Sequence, residues 1–530
     1  MRRSLADIAP ARFDVIVIGG GINGAGIARE TQLAGFRTLL IERNDFGSGT
    51  TSRATRLIHG GLRYLEHGEF GLVYESLAER EALVRDAAHL VRPLELLVPV
   101  YAGDQRPPWK VRAGLVLYDI LSFRKSLPRH RAVPSRKIDE LAPALNRDGL
   151  RGAFTFHDAQ VEFPERLVIE AVRDFSDAGG VALNHVSALR LVSPGGVLQG
   201  VIARDELTHD EAQLNAGVVI NATGPWVDNL LCGSDAERHE PLIGGTKGSH
   251  LVVAWPDAPK RAIFASAKAD GRPFFILPWY RCTLIGTTDM RYDGDPSTAR
   301  ATAAEVSYLI DETNRLFPTT PLGREHVLYT YSGVRPLPHT TGNDESTITR
   351  SHFVIDHVKR GGPAGLLTIV GGKLTTYRSL ARIALGAVRK HVKPSGDPQP
   401  SLRPSQARAV SAYARIDDDP LALYGARADE VRALAGAEPR LNEPMSDENP
   451  ELLAQVAYAI DREHAVTIAD VLLRRLPSGW AKGHAFDGVE RVAEVMAERL
   501  GWDASERLRA IDAYQEELRQ TLVPLDAISQ

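Results

Sequence analysis

The chain opens on a run of four apolar residues, Val15-Ile16-Val17-Ile18, which suits a parallel strand buried on both faces. Helical spacing takes over at Ile27, Ala28 and Leu33 and ends near Gly35; a second apolar run follows at Thr38-Leu39-Leu40-Ile41. Between strand and helix stand Gly19, Gly21 and Gly24 in the G-x-G-x-x-G spacing, which permits a tight turn and lets backbone touch a pyrophosphate. The helix, starting near Asn23, turns its free N–H groups and positive dipole end toward that phosphate. Glu42 lies 18 residues beyond Gly24, close to where an acid binds the ribose hydroxyls of adenosine. Strand, glycine turn, helix and acid together predict a dinucleotide-binding Rossmann unit. FAD and NAD both fit at this point.

The pattern then loosens. Residues 47–56 form a small, hydroxyl-rich loop whose Thr51 and Ser52 can wrap a phosphate-ribityl chain. His59, Gly60 and Gly61 lead into Arg63 and Tyr64, where paired glycines allow close approach to something flat beside a cation and a phenol. A helix is predicted over 70–90. Residues 106–131 are basic at both ends and apolar between, which fits either a helix on anionic lipid headgroups or a buried helix with solvated ends. Pro164 suits the first turn of a helix reaching Phe175, and 186–192 with 198–204 read as a hairpin. A buried strand follows from Gly217 and ends in small residues at Ala222 and Gly224, suited to passing close under a cofactor.

From 241 to 342 the rhythm becomes short β-rich runs (249–253, 274–278, 283–289, 327–333) with one helix over 303–317, an antiparallel domain inserted into the first. Residues 365–377 return to strand, glycine turn and helix, with Gly372, Leu374 and Thr375 at the turn and the helix amino end at 373–376. Prolines at 394, 398, 400 and 404 mark a linker. Beyond it the pattern is helical: Asn449-Pro450 reads as a cap and first-turn proline, with Leu452, Leu453, Val456 and Ile460 on one face, and further helices over 489–500 and 505–522. This tail shows no chemical constellation and reads as a packing or interface domain. The division is therefore an α/β dinucleotide-binding domain over 11–75, 150–240 and 343–392, a substrate or cap domain over 76–149 and 241–342, and an all-α domain over 406–530.

At 530 residues the chain exceeds one hydrophobic core. Its 43% hydrophobic and 25% charged content is ordinary for a globular protein, and a net charge of −4 gives no reason to expect nucleic acid. Cys232 and Cys282 are the only cysteines, far apart and in no metal-type spacing, so no metal is expected and a reducing cytoplasm fits. No secretory signal and no span-length apolar stretch are read; peripheral membrane contact stays open.

By Lys373 the motifs suffice for a family comparison. Gly19 to Gly26, Leu57-Ile58-His59-Gly60-Gly61-Leu62-Arg63-Tyr64-Leu65-Glu66, Asn221-Ala222-Thr223-Gly224-Pro225-Trp226, Lys247-Gly248-Ser249-His250, Ile285-Gly286-Thr287-Thr288-Asp289, Tyr331-Ser332-Gly333-Val334-Arg335-Pro336 and Gly371-Gly372-Lys373-Leu374-Thr375-Thr376-Tyr377 run in order. In them the chain resembles the FAD-dependent, respiratory-chain-linked sn-glycerol-3-phosphate dehydrogenases. The resemblance implies a glutathione-reductase-like FAD domain, a β-rich cap and a helical carboxy-terminal domain. It implies oxidation of glycerol 3-phosphate to dihydroxyacetone phosphate, with electrons passed to a membrane quinone. It places Arg63, Tyr64, His250, Arg335 and Lys373 around the substrate, and Val186 among the cofactor contacts. It also implies a cytoplasmic protein meeting the inner membrane peripherally, with a homodimer open. The extra arginines of 47–56 depart from the family pattern.

The residues fit that chemistry. Arg63 and Arg335 offer forked, permanently charged donors to a phosphate. Alcohol oxidation needs a base with a pKa near working pH; His250, expected to be unperturbed, is the first candidate and His59 the competitor. Lys373 can polarise a developing carbonyl or neutralise phosphate. Two further strand-ending glycine turns, at 223–224 and 371–372, favour FAD over NAD. Oxygen as acceptor, in an oxidase, and an amine or amino-acid oxidase of the same fold are the alternatives.

Overall fold

The computed structural model describes residues 3–123, 125–232, 240–340, 349–400 and 419–524. The opening strand, Arg12–Ile18, sits mid-sheet between Glu211–Asn221 and Thr38–Ile41, both parallel to it. Val15, Ile16 and Val17 are fully buried, as a strand covered on both faces requires. The sheet continues in the order Phe353–Asp356, Leu366–Val370, Glu211–Asn221, Arg12–Ile18, Thr38–Ile41, Val181–Leu183, with the Val186–Val192 and Gly200–Asp205 hairpin joined at Glu211–Asn221. Helix Ile22–Leu33 packs over it against Pro164–Asp177 and Tyr377–Val388. The expected Rossmann unit is present.

A second sheet of ten strands forms the cap. Here the expected boundaries shift. Residues 150–161, assigned to the cofactor domain by sequence, form the strand Leu150–Val161, paired antiparallel along Val91–Tyr101 in the second sheet. Leu57–Ile58, also assigned to the first domain, joins the same strand. Pairing decides membership, not packing: Ala153 joins the cap's own core, while Phe154, Phe156, Ala159 and Val161 lie in the large core they share with Val15, Val17 and Ile220 of the Rossmann sheet. The predicted runs 249–253, 274–278, 283–289 and 327–333 appear as Thr246–Val253, Pro273–Trp279, Cys282–Gly286 and Val327–Arg335, with helix Ala303–Leu316 between.

The basic-apolar-basic segment forms helix Pro108–Leu121, which buries only Leu115 and Tyr118. Trp109 (72%), Val116 (43%), Ile120 (63%) and the adjoining Phe123 (63%) are exposed, so of the two sequence readings the buried helix is the one overturned. Arg124 lies outside the described residues, as do parts of the expected domains at 233–239, 341–348, 401–418 and 525–530.

The tail is helical, with Ala428–Ala437, Leu453–Glu463, Val489–Leu500 and Ala504–Leu518. Asn449-Pro450 does not start the helix as expected. Its first turn begins at Leu453, where Gln455 Oε1 accepts the Leu452 N–H at 2.8 Å, while Asn449 bonds Ser446 and Asp487 instead. The helix after the third glycine turn likewise starts a turn late, at Tyr377 rather than over 373–376. Among the described residues no helix is long and apolar enough to cross a membrane.

Candidate active site

Two adjoining spaces gather most of the predicted residues. The first is a cleft of about 290 Å³ along the carboxyl ends of the parallel strands, lined by Gly19, Gly21, Asn23, Glu42, Thr51, Val186, Ala222, Gly224, Gly372, Lys373 and Leu374. Gly21 has no side chain to cap the helix, and Thr51 takes the Ile22 N–H alone, so the following first-turn amides are left for a ligand in the cleft. Asn23 Oδ1 is buried without a partner at the same end. Gly24 is required for the turn: a Cβ there would stand 1.8 Å from the Gly19 carbonyl oxygen. Glu42 closes the turn by accepting the Gly20 N–H at 2.6 Å and the Asn44 N–H at 2.9 Å, and burial raises its pKa. An elongated cleft with free amide donors at one end and an acid beside them fits a dinucleotide.

The hydroxyl loop contributes less directly than expected. Thr51 Oγ1 accepts the Ile22 N–H at 3.1 Å and ties the loop to the glycine-turn helix, while Ser52 Oγ donates to the Ser48 carbonyl at 3.2 Å within the loop. Arg56, one of the extra arginines, turns away. It is fully buried in a two-pronged pair with Glu165, 3.1 Å at each contact, beneath the Trp279 and Trp480 rings.

The second space is a cavity of about 160 Å³ between the two sheets, lined by His59, Gly61, Arg63, Tyr64, Thr287, Asp289, Arg335 and Arg350, with Arg272 at its wall. Helices Phe70–Asp86 and Pro108–Leu121 hold the His-Gly-Gly turn through one carboxylate. Asp158 accepts from Arg80 at 2.6 Å, from the Tyr118 hydroxyl at 2.7 Å and from the Gly60 N–H at 3.3 Å. The Thr375 hydroxyl fixes the His59 amide at 3.1 Å. Arg335, from Val327–Arg335, donates to Asp289 at 2.8 Å and to the Thr287 hydroxyl at 3.2 Å. Gly248 makes room for it, since a Cβ there would meet the Arg335 guanidinium at 2.3 Å. Arg350 shares the Asp289 carboxylate at 3.3 Å, and its other terminal nitrogen is buried without a partner. Burial alone would raise the Asp289 pKa; Arg335 and Arg350 outweigh it and hold the carboxyl below its ordinary value. Arg63 has no acidic partner among the described residues.

Arg350 and Asp289 are the residues that sequence reasoning missed. Asp289 stood inside a quoted motif, but Arg350 follows a polar stretch with no spacing to mark it. Lys373 Nζ lies 4.0 Å from the centre of the Tyr64 ring, buried without a hydrogen-bond partner, and burial brings its pKa down to about 7.

His250 differs from expectation. It is 2% exposed, stacked on Tyr331 with ring centres 4.7 Å apart, and its Nε2 sits 2.9 Å from the Thr55 hydroxyl, leaving Nδ1 unpartnered. It does not line the cavity. Burial first, and then Arg335 and Arg56, hold its pKa well below the ordinary histidine value, so the expected near-neutral titration is replaced by a ring neutral at pH 7. His59 is also lowered, by burial.

Comparison with known proteins agrees with this geometry. Residues 14–378 match the family model of FAD-dependent oxidoreductases, and 398–507 match a model described as the C-terminal domain of alpha-glycerophosphate oxidase. A glycerol-3-phosphate dehydrogenase of Synechocystis is 40% identical over 98% of this chain and 99% of its own. Glycerol-3-phosphate dehydrogenase 2 of Mycobacterium bovis is 33% identical over 95% of this chain and 87% of its own. The solved glycerol-3-phosphate dehydrogenase of Bacillus halodurans, complexed with FAD, superposes with a TM-score of 0.78 at 27% identity, covering 99% of this chain and 98% of that one. This chain is an FAD-dependent oxidoreductase and belongs to the glycerol-3-phosphate dehydrogenase family.

Proposed function

We propose that the protein oxidises sn-glycerol 3-phosphate to dihydroxyacetone phosphate and passes the electrons to a membrane quinone. The charge balance of the small cavity carries the substrate reading: Arg63, Arg272, Arg335 and Arg350 line about 160 Å³ with Glu69, Asp289 and Asp158, the last already taken by Arg80. That surplus of forked cations in a space sized for a few heavy atoms suits a small phosphate dianion. When bound in the neighbouring cleft, FAD supplies the hydride acceptor. Gly21, Asn23, Glu42, Val186, Ala222, Gly372 and Leu374 would hold it there.

The chain's own work is to bind, orient and manage one proton. Arg335, Arg350 and Arg63 hold the phosphate, and Tyr64 closes the side next to Lys373. A lysine titrating near 7 is better matched to take the C2 hydroxyl proton than a histidine whose proton affinity is well lowered. In this reading Lys373 is the base and His250 a neutral, buried partner behind the site.

The quinone reading rests on a third space. An apolar cavity of about 300 Å³, with Val98, Pro99, Val111 and Leu117 among its walls, shares Leu62, Arg63, Phe264 and Pro273 with the substrate cavity. It lies under helix Pro108–Leu121, whose exposed Trp109, Val116 and Ile120 stand beside exposed Lys110 and Arg112. Apolar side chains among cations suit an anionic bilayer surface, with the apolar cavity open to a lipid-soluble acceptor. The carboxy-terminal match to an oxidase domain favours oxygen instead. Anaerobic mixing of the holoenzyme with glycerol 3-phosphate should bleach the flavin band near ~450 nm. An unchanged spectrum with flavin bound would overturn the substrate. Aerobic turnover with stoichiometric peroxide and no quinone reduction would overturn the acceptor.

A further inference from the structure

The carboxy-terminal domain reads from sequence as a packing element, yet it grips the cofactor domain at one particular place. Glu42 at the end of Thr38–Ile41 and Val186 at the start of Val186–Val192 face the adenosine end of the cleft. The backbone between them is stitched into a unit: the Glu42 amide donates to the Leu183 carbonyl at 2.9 Å, the Val186 amide to the Glu42 carbonyl at 2.8 Å, and the His185 amide to the Asn44 carbonyl at 2.7 Å. His185 takes a positive φ of 55°, a left-handed conformation that costs a non-glycine residue energy and persists where surroundings impose it.

The surroundings here are the carboxy-terminal domain. His185 Nε2 lies 3.1 Å from Asp470 Oδ2, and Asp470 is itself fixed by the amides of Val466 (2.9 Å) and Thr467 (3.0 Å). Asn184 donates to the His464 carbonyl at 2.8 Å and to Asp45 at 3.0 Å. Asp45, fully buried, also accepts from Arg474 at 2.9 Å and from Arg475. Ligand atoms of Asp45, His185 and Asp470 lie within 4.8 Å of one another, a spacing that a metal ion could use. The two guanidinium groups already neutralise that cluster, so the arrangement is a clamp rather than a cation site.

We infer that the carboxy-terminal domain is an FAD-retention element: Asp470 on His185, with Asp45 held by Arg474 and Arg475, positions the 183–186 turn against the adenosine half of the cofactor. The inference rests on the cleft holding FAD. His185 and Asp470 are positioning residues, remote from the arginine-lined cavity.

The test is flavin release from full-length holoenzyme on dilution, followed by flavin fluorescence, in wild type, His185→Ala, His185→Gln, His185→Gly and Asp470→Asn. Losing the charged contact should raise the FAD dissociation constant about tenfold or more. KM for glycerol 3-phosphate at saturating FAD should stay within about twofold, because the arginine cavity is untouched. His185→Gln, which keeps a donor, should recover part of the affinity. His185→Gly relieves the positive φ, so it keeps the test alive if other variants fold poorly; it should melt near wild type without FAD and still release flavin faster. FAD constants within twofold of wild type in folded His185→Ala and Asp470→Asn would overturn the inference, as would a lower melting temperature of the FAD-free chain as the sole change. Wild type that holds no flavin would instead overturn the cofactor cleft itself.

Discussion

Arginines are gathered in two regions of this molecule, and the two gatherings differ in how their charge is balanced. At the domain junctions Arg166 meets Glu463, and Arg474 and Arg475 meet Asp45 and Asp470, while Arg56 meets Glu165 within the cofactor domain beneath rings of the other two, nearly all fully buried. Each cation there has its acid, and the groups are consumed in holding domains together. In the small cavity Arg335 and Arg350 divide one carboxylate and Arg63 has none among the described residues. The same side chain is mortar where acids match it and a binding device where they fall short. Charge surplus, more than the presence of arginine, is what supports the proposed anion site.

The largest effect should come from unbalancing a matched pair. Glu165→Ala leaves Arg56 buried without its acid, and we expect a loss of about 3–5 kcal/mol in urea unfolding, enough to lower the yield of folded protein. Breaking the unmatched set should burden the fold less. Arg335→Ala should lower kcat/KM for flavin reduction by about a hundredfold or more, while costing less unfolding free energy than Glu165→Ala, because Arg350 stays on Asp289. An equal fall in stability would erase the distinction between the two regions. Gly248→Ala sharpens the comparison without removing charge: the added methyl, 2.3 Å from Arg335, should displace that guanidinium and cut kcat/KM roughly tenfold, with circular dichroism unchanged.

A different kind of effect, read in stability against pH, concerns Lys373. Its pKa is lowered from 10.5 to about 7 in the folded chain, so the unfolded chain binds its proton more tightly between those values. Stability from this residue therefore rises with pH across that window, and below about 7 its buried ammonium is a net cost. Lys373→Met should be more stable than wild type at pH 6, with the gap closing as pH rises toward 10 in substrate-free unfolding measurements. A gap independent of pH would show that Lys373 keeps its ordinary proton affinity.

Much of the site was legible because its parts are local. A strand, three glycines and an acid lie within about thirty residues, and each constraint acts between near neighbours in the chain. The His-Gly-Gly-Leu-Arg-Tyr and Gly-Gly-Lys segments were equally readable, since close packing leaves only glycine there. What escaped depended on distant partners. Leu150–Val161 is a cap strand because Val91–Tyr101 lies beside it, a pairing that no local periodicity announces. Arg350 becomes a site residue only when Asp289 is brought to it. The proton affinity expected for His250 was the free residue's; burial under Tyr331, with Arg335 and Arg56 near, was invisible until the sheets were packed.

The sequence by itself determined the Rossmann unit, the glycine-turn cleft and the family, because short-range geometry around glycine and buried apolar runs leaves few alternatives. The tertiary structure decided which arginines are free to bind an anion, which basic group titrates near neutrality, and that the carboxy-terminal helices reach the adenosine end of the cleft. Those properties depend on desolvation and on charges brought together from tens to hundreds of residues apart, and both exist only once the chain has folded.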